Sequence, residues 1–224
     1  MELSHNIVSF FSRYQRYILV FFIIFYLVGF LGLVIPYTYH LFLKLFPLAL
    51  ILSFSAILLS HKDPYDAKTI YVFVLIGVWS FMIEVTGVNT HLIFGNYSYG
   101  NALGLKLFNT PLLIAINWVM LTYAGSSITE RLSMPDYLKI IIASTIILVY
   151  DIILEQVASV LDMWYWKDNV VPFQNYLAWF IIAFVFQTFI RLSKVSTRNS
   201  IVVPLLLIQT LFFISLFVFF QFSK

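Results

Sequence analysis

Seven runs of about 16 to 23 mostly apolar residues, each closed by a polar or proline-containing break, limit what this chain can fold into. They lie near 17–35, 41–60, 69–87, 111–126, 138–158, 173–192 and 200–222. A helix of about 20 residues crosses a bilayer core, so each run is a candidate span. Only 10% of the residues are charged, against roughly 25% in soluble domains. The expected fold is therefore one all-α integral membrane domain over residues 1–224, multi-pass in the cell membrane, with about seven transmembrane helices. The first run is too long for a signal-peptide core and no small-residue cleavage site follows it, so it is read as a span.

Seven spans divide the loops between two sides, and the basic residues are unevenly shared. Arg13, Arg16, Lys62, Lys68, Arg131, Lys139, Arg191, Lys194 and Arg198 fall on one side, while Lys106, Lys167 and Lys224 fall on the other. The positive-inside rule then predicts a cytoplasmic N-terminus. A net charge of +3 confined to such loops gives no reason to expect nucleic acid. The chain has no cysteine, and His5, His40, His61 and His91 form no ligand spacing, so neither a metal nor a cofactor is expected.

The greasy helices nevertheless carry acids. Asp151 and Glu155 stand one turn apart in the fifth run, about 6 Å along the axis and on one face, and Glu84 closes the third. Both runs travel outward in the expected topology, so the three acids reach similar depth. Asn117 and Asn175, in the first two turns of the next helices, are expected to join them in one pocket. A carboxylate at a bilayer centre costs roughly 2.5–3.5 kcal/mol on insertion scales, so such groups are functional by default. The plain alternative is a structural contact, with Lys44 or an asparagine as partner.

Two long loops cover this end. The first contains Tyr97 and Tyr99, the second Trp164, Tyr165 and Trp166, and each ends at a proline, Pro111 or Pro172, followed seven residues later by Trp118 or Trp179. An acid-bearing helix, an aromatic loop and a proline-started helix with a tryptophan thus occur twice, the mark of a weak parallel repeat. Aromatics also form belts at membrane interfaces without further function.

Several chemistries fail on the residues. The last run has no lysine for a retinal Schiff base, no second acidic cluster exists for a magnesium-bound diphosphate, and there is no G-x-S-x-G elbow. Acid chemistry on an apolar substrate fits better. An apolar site favours the neutral acid, which can protonate an alkene, and aromatic faces can stabilise the resulting cation. A second carboxylate and the asparagines would then hold the water that captures it.

Over residues 79–180 the chain resembles the membrane carotenoid 1,2-hydratase family of the CruF type, which includes bisanhydrobacterioruberin hydratases. The family pattern E-x-x-G-x-x-x-G-x-x-F-G-x-Y-x-Y is met by Glu84, Gly87, Phe94, Gly95, Tyr97 and Tyr99, followed by Leu103, Gly104, Pro111 and Trp118. Asp151, Trp164, Trp166, Val171, Pro172, Asn175 and Trp179 match its second block. Glu155 stands in place of an aspartate, Gln156 of a proline, His91 and Ala178 of glycines, and Asn109 and Thr110 of a glycine and a valine.

The resemblance implies addition of water across the terminal 1,2 double bond of an acyclic carotenoid such as lycopene or γ-carotene, giving a tertiary alcohol. The substrate would enter from the bilayer. Asp151 or Glu155 would donate the proton, Glu84 would position water or share a proton, and Asn117 and Asn175 would hold the water. Tyr97, Tyr99, Trp118, Trp164, Trp166 and Trp179 would line the cation site. Two alternatives remain open: a lycopene-cyclase-like enzyme, and a carotenoid-binding or transporter protein without catalysis.

Overall fold

The computed structural model describes residues 2–63 and 65–222, with side chains from residue 14 onward. The side chains of His5 and Arg13, and Lys224, all used in the sequence argument, lie outside the described residues. Eight α-helices follow in order: α1 Glu2–Val34, α2 Tyr39–Leu43, α3 Phe46–Leu59, α4 Ala67–Thr90, α5 Leu113–Glu130, α6 Asp136–Ala158, α7 Phe173–Ser193 and α8 Val202–Phe222. Four short strands interrupt them, β1 Tyr97–Tyr99, β2 Lys106–Leu107, β3 Thr110–Pro111 and β4 Trp164–Trp166.

Five helical stretches are long and apolar enough to cross a membrane: Tyr14–Val34, Ala67–Thr90, Asp136–Ala158, Phe173–Ser193 and Val202–Phe222. The chain is a multi-pass membrane protein by these lengths and compositions. The other two predicted runs differ from simple spans. Residues 41–60 divide into α2 and α3, because Pro47, which lacks an N–H, sits in the first turn of α3. That leaves a helix of only 14 residues.

Helix α5 packs against α3, α4, α6, α7 and α8. Every residue from Trp118 to Ser127 on it is buried, the signature of a helix enclosed on all sides. Its Thr122, Ser126, Ser127 and Thr129 therefore face protein rather than lipid. Hydrophobicity cannot drive helix pairing where lipid is equally apolar, so close contact and polar bonds must do it. Ala143 on α6 and Ala183 on α7 are fully buried, and Gln187 Nε2 donates to the Thr122 carbonyl at 2.8 Å.

At one end of the bundle a buried polar knot fastens the α3–α4 turn to the α7–α8 turn. Asn199 Nδ2 donates to the Ile57 carbonyl at 2.7 Å and to Tyr123 Oη at 3.2 Å. Its Oδ1 accepts from the N–H groups of Ile201 and Val202 at the start of α8. Arg198 pairs with Asp63, the only ion pair among the described residues. At the other end the two aromatic loops meet each other. Strands β1 and β4 pair antiparallel, with Tyr97 opposite Trp166, Ser98 opposite Tyr165 and Tyr99 opposite Trp164.

Candidate active site

The period-two alternation of a strand sets which aromatics turn inward. In β1, Tyr97 and Tyr99 face the bundle while Ser98 is exposed; in β4, Trp164 and Trp166 do so while Tyr165 is exposed. Two glycines permit this approach. Gly100 lies so close to the Asp162 carbonyl that a Cβ would sit 2.2 Å from its oxygen. Gly95 adopts φ +108°, a conformation that side chains disfavour, with Pro172 packed directly over it.

The four inward aromatics hold the glutamates. Tyr97 Oη and Tyr99 Oη donate to Glu84 Oε2 at 2.8 and 2.7 Å, and Trp118 Nε1 donates to Glu84 Oε1 at 2.8 Å. Burial, and next the nearby Glu84 carboxylate, push both tyrosine hydroxyls well above their usual range, which keeps them as donors. On the opposite side, Trp164 Nε1 and Trp166 Nε1 donate to Glu155 Oε2 at 3.0 and 2.8 Å. Glu155 Oε1 accepts from Asn175 Nδ2 at 3.2 Å. An indole N–H can only donate, so Oε2 of Glu155 sits where negative charge is already provided for.

The two halves follow one plan. Each has a glutamate near the end of a helix, two alternating aromatics that hydrogen-bond to it, and a tryptophan seven residues beyond a proline. Those tryptophans, Trp118 and Trp179, stack on each other with ring centres 4.2 Å apart. The halves diverge one turn before the glutamate, where Asp151 corresponds to Ser80, and three residues after the proline, where Asn175 corresponds to Ile114. The Glu155 half thus carries an additional acid and an amide. Asp151 is fully buried, with Oδ2 3.4 Å from Asn175 Nδ2 and Oδ1 without a partner.

Glu84, Glu155, Tyr97, Tyr99, Trp164, Trp166, Asn175 and Trp179 all line one cavity of about 20 Å³. Three expected members do not line it, Trp118 among them although its Nε1 reaches Glu84. Asp151 lies behind Asn175 rather than on the cavity wall. Asn117 opens instead into a second cavity of about 270 Å³, because adjacent helix positions are turned about 100° apart and Trp118 takes the inward direction. Lys44 is exposed at the break between α2 and α3 and makes no ion pair with the acids; Asn175 is their polar partner. The larger cavity is bounded by α1, α2, α3, α5, α6 and α8, and nothing in the sequence pattern marked it.

Residues 45–223 match the sequence model of a family described as carotenoid biosynthesis protein. No curated protein and no solved structure matches the chain.

Proposed function

The chain belongs to the carotenoid biosynthesis protein family, and from that premise we propose that it is a cofactor-independent carotenoid hydratase. It adds water across the terminal 1,2 double bond of an acyclic carotenoid end, with lycopene and γ-carotene as candidate substrates taken from the bilayer. The observation that carries this reading is the pair of glutamates on one small cavity, each with hydrogen-bond donors already in place and with aromatic faces between them.

Glu155 delivers the proton. Its carboxyl lines the cavity, and the alkene electron pair takes the proton to form a C–H bond at C2, leaving a tertiary cation at C1. The charge left on Glu155 is received by the indole N–H groups of Trp164 and Trp166, donors that need not reorganise. The faces of Tyr97, Trp166 and Trp179 stabilise the cation. Glu84 orients a water molecule, which attacks C1 and loses a proton to that carboxylate. The proton gained by Glu84 then passes through water in the shared cavity to Glu155, so one water is consumed and the acids return to their starting state. Asp151 shares the Asn175 amide with Glu155 and places a second acid beside it. The additional acid in this half is what favours Glu155 over Glu84 as donor.

The test is mass spectrometry of pigments from a lycopene-producing bacterial host with and without the chain. A product heavier by one water, lost in Glu155→Gln and Glu84→Gln, supports hydration. A new pigment of unchanged mass would favour cyclisation, and unchanged pigment beside well-expressed protein would favour binding or transport.

A further inference from the structure

The two cavities differ in what they can hold. A site of about 20 Å³ has room for about one water, which needs 10–15 Å³, and is too small for the branched end of a polyene. Its wall is rich in hydrogen-bonding groups. The second cavity, of about 270 Å³, is lined almost wholly by apolar side chains, among them Phe25, Leu33, Phe46, Leu50 and Phe212. Ile114 and Trp164 line both cavities and are the partition between them.

Two further features point to a ligand in the larger space. Its rim includes Val28 and Leu45, both exposed on the outer surface of the bundle, so it opens toward the phase in which a hydrocarbon dissolves. Among its wall residues Asn117 and Tyr150 carry polar groups that form no hydrogen bond among the described residues, whereas Gln209 Nε2 donates to Tyr26 Oη at 2.7 Å.

We propose that the larger cavity is the seat for the end of an isoprenoid hydrocarbon, which reaches the water between Glu84 and Glu155 past Ile114 and Trp164. This inference rests on the hydratase reading for its chemistry, though the seat itself is defined by the cavity. Water and hydrocarbon are held on opposite sides of a two-residue wall, so the acids keep their water until an end group moves that wall aside. Asn117 and Tyr150 face the newly formed hydroxyl as the product end withdraws. Residues that shape this seat, rather than the acids, decide which chain ends are accepted.

The experiment fills the seat far from the acids. Ala49 and Gly29 both line it, and a Cβ on Gly29 would meet only Phe212 at an ordinary 3.6 Å. Purified full-length protein, Ala49→Phe and Gly29→Leu are titrated with all-trans lycopene in detergent, and quenching of tryptophan fluorescence is read alongside conversion. Size-exclusion profiles and melting curves identify any variant that fails to fold, and the second substitution on the opposite wall covers that case. The expected result is at least tenfold weaker quenching in both folded variants, with Glu155→Gln quenched like the wild type. Folded variants that bind lycopene as the wild type does would overturn the seat. Loss of binding in the filled variants, with no hydrated product from the wild type, would leave the seat standing and refute the hydratase reading.

Discussion

Trp166→Phe removes one N–H from Glu155 Oε2 while keeping an aromatic ring against Tyr97, whose ring centre lies 5.1 Å away. A hydrogen bond to a charged group is worth about 1.5–3 kcal/mol. If the charge appears on Glu155 only as the proton leaves, that energy is lost from the transition state alone. At 1.36 kcal/mol per factor of ten, the rate should fall by roughly 10- to 150-fold with little change in KM. Trp164→Phe should do the same, with an added change in KM because Trp164 also bounds the larger cavity. Both indoles serve one oxygen, so the double variant leaves Oε2 without a donor and should lose more than the product of the single effects. The assay is the initial rate of hydrated carotenoid formation in isolated membranes at saturating substrate. A folded Trp166→Phe protein within twofold of the wild-type rate would refute the assignment of Glu155 as the donor.

Other consequences are simpler to measure. Glu84→Gln should lower turnover by roughly 100- to 10,000-fold, as for loss of a general base, while the melting temperature in detergent stays close to wild type. His91 closes α4 in the left-handed region at φ 60°, where glycine is favoured, so His91→Gly should stabilise the fold by about 0.5–1 kcal/mol in denaturant melts; a loss of stability would contradict this. Asn199→Ala removes a helix cap and two donated bonds, and should destabilise by about 2–4 kcal/mol, read as a fall in melting temperature. Hydrogen bonds from Arg198 hold the Asp63 carboxyl down at about 2. A depressed carboxyl stabilises the fold above its unfolded value of about 3.9, so this contribution should fade as pH drops from about 4 to 2. Asp63→Asn should remove that part of the acid sensitivity.

Much of this arrangement was legible in the sequence because bilayer length and acid spacing are strong local signals. Glu84 and Glu155 reach the same cavity as the run lengths predict, and the repeat of acid, aromatic loop and proline-started helix reappears as two matched halves. The pairing of β1 with β4 was missed, although the alternating Tyr-Ser-Tyr and Trp-Tyr-Trp triplets carry the period-two signal of strands. Run length failed at Pro47, where a backbone donor is missing, and at Asn117, where one helix position decides which of two cavities a side chain enters. The larger cavity arises from residues on six helices spread from α1 to α8, and each of them looks like ordinary core until the helices are assembled.

The most direct test is to incubate the purified protein with lycopene in water enriched in heavy oxygen. Hydration predicts a product carrying one heavy oxygen per converted end, absent with Glu155→Gln. A converted pigment that contains no solvent oxygen would contradict it.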